Sequence, residues 1–289
     1  MKQKLIKILI PTVAIIAAVI IIIAAVSAGT DKAIPLSKAK LPEDAQVTLI
    51  SHRGMSIAAP ENTVEAALKS AEAGYTHVEF DIRRTLDGVW VLMHDDDIKR
   101  TTNGKGEISA LTYKQILRHS IDSKTGDYVA VPTLKAMLNT CADNKLTPVI
   151  EIKQSGTEYI KEMLNTVADS WNSECMFITF NREQAELVYS LLEDGVTTLR
   201  KSKVTVMWLT SELDEQTLET AKTNTDIGVS FNGNKAGTEK EIKAFTDAGI
   251  SLATWTVNKP KRLKELYSLG ITTFTTDTIV YNELTNGED

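Results

Sequence analysis

Short apolar runs with strand character recur along this chain, and stretches of helical spacing separate them. The strand candidates are residues 47–50, 77–83, 147–153, 175–179, 203–209, 226–231, 250–257 and 271–276. Helical periodicity fills most of the intervals, at 63–73, 133–144, 158–170, 182–193, 215–224, 238–248 and 261–269. Such alternation predicts a parallel sheet, because parallel neighbours need crossover connections. Eight units predict an α/β fold in which the sheet closes into a (β/α)8 TIM barrel. An open doubly wound sheet is the alternative with the same element order.

The run His77-Val78-Glu79-Phe80-Asp81-Ile82-Arg83 alternates strictly. In a barrel Val78, Phe80 and Ile82 pack outward on helices, and His77, Glu79, Asp81 and Arg83 point inward. Glu151 and Lys153 repeat the pattern on the polar face of a later strand. Asp87-Gly88 is a hairpin signal, and the link to Val89-Trp90-Val91-Leu92-Met93 is too short for a crossover helix. That segment should fold back antiparallel and lie outside the barrel count. If Asp87-Gly88 is a two-residue loop, Leu86 pairs with Val89 and Asp81 faces His94; a slip of two places Glu79 opposite His94. Either register puts His94 on the face of the carboxylates. Residues 95–132 are polar, carry a helical piece at 112–119, and read as a small insertion after the second strand.

Barrels of this kind gather functional groups at the C-terminal ends of their strands. His52, Arg53, Glu79, Asp81 and Glu151 all fall there. Three carboxylates from neighbouring strands are hard oxygen ligands, suited to Ca2+ or Mg2+, with Mn2+ also compatible, rather than to zinc. The competing reading pairs them with Arg83 and Lys153 in a structural ion network. His52 and His94 tip the balance: they are two of only four histidines, and each ends an apolar strand beside the cluster. A histidine pair divides general-acid and general-base work near neutral pH, and Arg53 can fork onto a phosphate. Together these groups suit cleavage of a phosphodiester. His77 lies deeper on the polar face, and His119 falls in the insertion, where a solvated position is expected.

The motifs that carry a family resemblance are His52-Arg53-Gly54, Pro60-Glu61-Asn62-Thr63, Glu79-x-Asp81, Thr85-x-Asp87-Gly88 and His94-Asp95. Further on come Arg100-Thr101-Thr102-Asn103-Gly104-x-Gly106, Pro132-Thr133-Leu134, Glu151-Ile152-Lys153 and Trp255-Thr256-Val257-Asn258. In this order they resemble the glycerophosphodiester phosphodiesterases, which share a barrel with the phosphatidylinositol-specific phospholipases C. The resemblance implies hydrolysis of a glycerophosphodiester to glycerol 3-phosphate and an alcohol, with one divalent metal. It implies His52 and His94 as the acid/base pair and Glu79, Asp81 and Glu151 as metal ligands. Arg53 and Lys153 match phosphate-side groups, Glu61 lines the site, and Trp255 is either a substrate-side aromatic or a barrel-core tryptophan. The chain departs from the family at Thr273 and Phe274, where smaller or aliphatic residues are usual. Asp95-Asp96-Asp97 is also unusually acidic, and a solvated loop is expected there. Two alternatives remain: a lysophospholipase D-like or polyglycerol-phosphate (teichoic acid) cleaving activity in the same site, and a non-catalytic surface binding module.

Lys2, Lys4 and Lys7 precede an apolar run over 8–26 broken only by Pro11 and Thr12. Its length suits one bilayer span. The expectation is an uncleaved transmembrane anchor within 1–28, a polar tether over 29–45 and a barrel domain over 46–289. Lysines before the span keep the N-terminus cytoplasmic, so the barrel should lie on the extracellular side of the cell membrane. A cleaved signal peptide with a weak site at Val26-Ser27-Ala28 is the alternative. The net charge of −6 argues against a nucleic-acid partner, but a local arginine, lysine or metal still admits an anionic small molecule. Cys141 and Cys175 sit in apolar-periodic segments and read as buried free thiols.

Overall fold

The computed structural model describes residues 32–123, 126–154 and 156–281. Its strands, in chain order, are β1 (Ile34–Pro35), β2 (Thr48–Ser51), β3 (His77–Arg84), β4 (Trp90–Leu92), β5 (Thr147–Ile152), β6 (Cys175–Thr179), β7 (Val204–Thr210), β8 (Gly228–Asn232), β9 (Leu252–Trp255), β10 (Thr273–Thr276) and β11 (Ile279–Val280). Neighbours pair in parallel from β3 through β5, β6, β7, β8, β9 and β10 to β2. β2 pairs with β3 as well, so the sheet closes on itself. This is the expected eight-stranded barrel and not the open sheet.

Both sides of the wall follow from the alternation. Phe80 and Ile82 face outward and bury against Leu134, Met137 and Leu138 of the helix Leu134–Asp143. Ile50, Val149, Ile178, Met207, Leu209 and Ala253 point inward and fill the barrel beneath the polar cluster. Each buried Val, Ile, Leu, Met or Phe side chain of this kind is worth roughly 1.5–3 kcal/mol. Threonines at several strand-to-helix turns place the next helix: Thr63 accepts from Ala66 N, Thr133 from Ala136 N and Thr238 from Glu241 N. Cys141 and Cys175 are free and buried, and burial pushes both thiols up to about 12.

The hairpin departs from both expected registers by one residue. Arg84 pairs with Trp90, Arg83 with Val91 and Ile82 with Leu92. The loop is the three residues Leu86-Asp87-Gly88, closed by Thr85 N donating to Val89 O at 2.9 Å. Gly88 adopts φ of 84°, the left-handed conformation that ends a three-residue hairpin loop. The Thr85 hydroxyl donates to Asp87 Oδ1 and accepts from Val89 N, which locks this geometry. Asp81 therefore lies across from Met93, and His94 begins where the ladder has ended.

Two further expectations change. The segment expected as a polar tether is, from Ala33 onward, part of the barrel's outer layer. Ile34 pairs with Ile279, and Leu36, Ala39 and Leu41 pack into the apolar cluster that holds Leu263, Leu266 and Phe274. Burial of these scattered apolar residues outweighs the polar average of the stretch. Within the insertion, the helical piece shortens to Tyr113–Ile116, capped by Thr112 and Gln115. Ile98, Ile108, Ile116, Ile121 and Val131 give the insertion its own small core against Val91 and Met93. The apolar run at 8–26 lies outside the described residues. Among those described, no helix is long and apolar enough to cross a membrane.

Candidate active site

At the C-terminal ends of the strands, a cavity of about 220 Å³ is lined on one side by His52, Arg53, Glu79, His94, Glu151 and Lys153. Ile178, Phe180, Leu209 and Trp255 form its apolar side. A larger hollow of about 590 Å³ opens among Cys141, Lys145, Trp171 and their neighbours at the opposite strand ends, with no comparable gathering of charge. His77 also lies at that end, in a separate hollow with Glu174 and Lys203, so it takes no part in the site.

β2 delivers its groups through a tight turn. Arg53 has φ of 54° and Gly54 φ of 75°. The left-handed conformation costs Arg53 about 1–2 kcal/mol. In return, Arg53 N donates to Glu79 Oε2 at 2.7 Å, and Gly54 N to Glu79 O at 3.1 Å. A side chain at Gly54 would meet Ala66 Cβ at 2.6 Å, so glycine is required on steric grounds too.

Glu79, Asp81 and Glu151 are buried, and one oxygen from each lies within 4.8 Å of the others. Asn62 braces the middle one: its Nδ2 donates to Asp81 Oδ2 at 2.8 Å, and its Oδ1 accepts from Asp81 N at 3.0 Å. Glu79 Oε1 has no hydrogen-bond partner among the described residues, and Lys153 is what faces Asp81 Oδ1 and Glu151 Oε1. The Lys153 ammonium stands 2.5 Å from Glu151 Oε1 and 3.4 Å from Asp81 Oδ1. This ion pair matches half of the competing network reading. Burial, and then the negative charge of Asp81, raise Glu79 and Glu151 well above the usual carboxylate range. Three buried carboxylates that converge on one point, with Glu79 Oε1 unpartnered and a single ammonium facing the other two, fit a hard divalent cation.

Each histidine is anchored through Nδ1. His52 Nδ1 lies 2.6 Å from Asp277 Oδ1, and His94 Nδ1 lies 2.8 Å from Asp95 Oδ1. A carboxylate at Nδ1 favours the Nδ1–H tautomer and leaves Nε2 free for a substrate. Burial works to lower His52, but its bond to Asp277 and the charge of Glu79 outweigh burial and raise it. His94 is lowered, because burial exceeds the effect of Asp95.

A chain of charges joins the two halves of the site. Arg53 Nη1 donates to Glu61 Oε1 at 3.0 Å, and Arg100 donates to both oxygens of Glu61 and both of Asp95. Asp95 is thus an anchor rather than a freely solvated loop residue, although Asp97 does cap backbone N–H groups of Lys99 and Gly106. Trp255 lines the cavity, edge-on to Phe180 at 5.3 Å. All the expected site residues therefore gather around one cavity, with Glu61 at its edge through Arg53 and Asp81 at its base. Arg83 does not pair with the carboxylates but with the carbonyls of His94 and Lys153. Asp277, Asn258, Asn62 and Arg100 are the supporting residues that sequence reasoning left without a role.

The fold and the cluster define a (β/α)8 barrel with a polar, metal-competent site at its C-terminal face. Residues 52–280 match the glycerophosphoryl diester phosphodiesterase family, and the chain belongs to that family. The human protein "Glycerophosphodiester phosphodiesterase 1" is 36% identical over 148 residues, which cover 47% of this chain and 44% of that protein. The chain therefore spans less than half the length of that relative. A glycerophosphodiester phosphodiesterase of Bacillus altitudinis is 27% identical over 239 residues, 79% of this chain and 94% of that protein. In fold, the chain is similar to a phosphodiesterase of Oleispira antarctica in complex with the product sn-glycerol-3-phosphate. The TM-score is 0.70 at 21% identity, with 86% of this chain and 97% of that one covered.

Proposed function

We propose that this chain hydrolyses glycerophosphodiesters to glycerol 3-phosphate and an alcohol, with His52 and His94 as the acid/base pair. The observation that carries the reading is the meeting of both histidines, each fixed at Nδ1, with Arg53, Lys153 and the carboxylate cluster around one cavity. One imidazole takes the proton of the attacking oxygen, either the glycerol 2-hydroxyl or water. That oxygen bonds to phosphorus as the ester bond to the leaving alcohol breaks, and the other imidazole protonates the departing alkoxide. Arg53 and Lys153 balance the phosphate charge. Glu79, Asp81 and Glu151 would hold the cation, Ca2+ or Mg2+, whose chemistry is to neutralise phosphate charge and acidify the attacking oxygen. If the glycerol hydroxyl attacks first, a second cycle with water opens the cyclic ester.

The lysine-preceded apolar run at 8–26 supports a single-pass anchor with the site on the outer side of the cell membrane. One observation favours a wider substrate range: Phe180 is 49% exposed beside Trp255 at the apolar side of the cavity. That surface suits the acyl chain of a lysophospholipid better than it suits polyglycerol phosphate. The test is a substrate panel on the full chain, with EDTA and add-back of Ca2+, Mg2+ or Mn2+. Chelator-sensitive release of glycerol 3-phosphate is expected. Ligand binding without product, across the panel and all metals, would instead identify a binding module.

A further inference from the structure

The two ladders of β3 end at one level, the β5 ladder running up to Ile82 and the antiparallel β4 ladder running down to Asp81. Toward β4, the ladder ends with Met93 N donating to Asp81 O at 3.1 Å. Toward β5, it ends with Lys153 N donating to Ile82 O at 3.1 Å. The carbonyls of His94 and Lys153 lie just past these two ladder ends. Arg83, which follows Asp81 on the inward face, supplies the donors. Its Nε and Nη2 donate to His94 O at 3.0 and 2.8 Å, and its Nη1 donates to Lys153 O at 3.2 Å.

We propose that Arg83 is a positioning residue of this site: its guanidinium fixes the backbone at His94 and at Lys153, and so sets the imidazole and the ammonium relative to each other across the cavity. The proposal rests on the phosphodiesterase reading above. Asp81, Asp95, Asp96 and Glu151 all bear electrostatically on Arg83, yet its hydrogen bonds go to neutral carbonyls. What the site takes from Arg83 is therefore direction more than charge. A planar fork can serve two carbonyls on opposite sides of a strand at fixed angles, and a lysine ammonium cannot. Each client residue is already held at its far end, His94 through Asp95 and Lys153 through Glu151. Arg83 adds the backbone end, and both side chains are then defined at two points.

The test compares Arg83→Lys and Arg83→Gln with the wild type in the full chain. Arg83→Lys should fold and lose about tenfold or more in kcat, the size of effect expected of a misplaced catalytic group. The limb of its pH–rate profile that titrates His94 should also shift. In a His94→Ala background, the same substitution should cost clearly less in kcat than in the wild type, only the part that acts through Lys153 remaining, because residues acting as one unit are not additive. Binding of sn-glycerol 3-phosphate, measured by calorimetry, should weaken through Lys153. The proposal is overturned by an unchanged pH profile with kcat within twofold in the Lys variant, or in the Gln variant should the Lys variant not fold. Losses that simply multiply with His94→Ala, or unaltered product binding, would also overturn it. An inactive wild type would instead sink the phosphodiesterase reading, and product binding would then judge Arg83 alone.

Discussion

Asp277 and His52 are 225 positions apart in the chain, and their Oδ1 and Nδ1 atoms are 2.6 Å apart at the site. The second oxygen of Asp277 accepts from Asn258 Nδ2 at 2.7 Å, and Asp277 N donates back to Asn258 Oδ1 at 2.8 Å. The carboxylate is held on both sides and cannot swing away from the imidazole. Asp277→Asn keeps the shape but can present an amide N–H to Nδ1, which would favour the wrong tautomer. Turnover of glycerophosphocholine should fall about a hundredfold, within the range general acid–base groups contribute. Steady-state kinetics check this, and activity within threefold of wild type would count against it.

Glu79 answers to two opposing demands. Without a cation, burial and repulsion from Asp81 and Glu151 make its charge unfavourable, which is why its carboxyl is raised. A group whose folded pKa lies above its unfolded value costs no stability at low pH and progressively more as pH rises through the folded value. The metal-free protein should therefore lose stability as pH climbs from the ordinary carboxylate range to above neutrality. Glu79→Gln should flatten that slope and raise the metal-free Tm, while abolishing any rise in Tm on adding Ca2+ or Mg2+. Thermal scans with and without EDTA separate the two effects; a variant that keeps the cation response removes Glu79 from the ligand set.

Arg100 ties Asp95 of the insertion to Glu61 of the β2 turn, and its pH dependence has the opposite sign. Its hydrogen bonds are the leading cause that holds Asp95 far below its ordinary 3.8, with burial opposing. At Glu61 burial would raise the carboxyl, but Arg100 and Arg53 outweigh it and keep it below 4.5. Depressed carboxylates contribute stability that is present above their unfolded values and lost as pH falls through the folded ones. Arg100→Gln should cost about 1 kcal/mol near neutrality, a modest figure because Arg100 is half exposed and solvent screens it. The gap in Tm between wild type and variant should close as pH drops below the ordinary carboxylate range. A gap that is constant with pH would show that charge pairing is not what Arg100 contributes.

The barrel was legible because its strands carry two signals at once, buried apolar faces and a polar face at their ends. Val78, Phe80 and Ile82 could face only outward once Glu79 and Asp81 faced in. The carboxylate cluster followed from the same alternation, read on two strands that turn out to pair directly, Asp81 opposite Glu151. Asn258 was visible as a motif letter, but Asp277, a partner of His52 from the far end of the chain, has no local periodicity to betray it. Asp95 looked like part of an acidic run because sequence shows charge and not the arginine that neutralises it. Ala33 to Leu41 looked like a tether because its apolar residues are spaced singly and find their partners only on the closed barrel. His94 arrives where it was expected for a reason that was not: it lies past the ladder, held by Arg83, and not in register with a carboxylate.

That difference in register traces to Gly88. As the last residue of a three-residue loop it must hold φ at 84°, where a side chain costs roughly 1–2 kcal/mol. A Cβ there would also come within 2.9 Å of Arg84 Nη2, the group that pairs with Glu162. Gly88→Ala should therefore destabilise the protein by about 1–2 kcal/mol, and Gly88→Asn by less, because asparagine tolerates the left-handed region. If the loop sets the register that leaves His94 beyond Met93, the alanine variant should also lose turnover at temperatures where it remains folded, with the larger change in kcat. Urea unfolding and kinetics on the two variants check the pair of expectations. Equal stability of Ala, Asn and Gly at this position would mean that the turn, and with it the route by which His94 reaches the cavity, is set elsewhere.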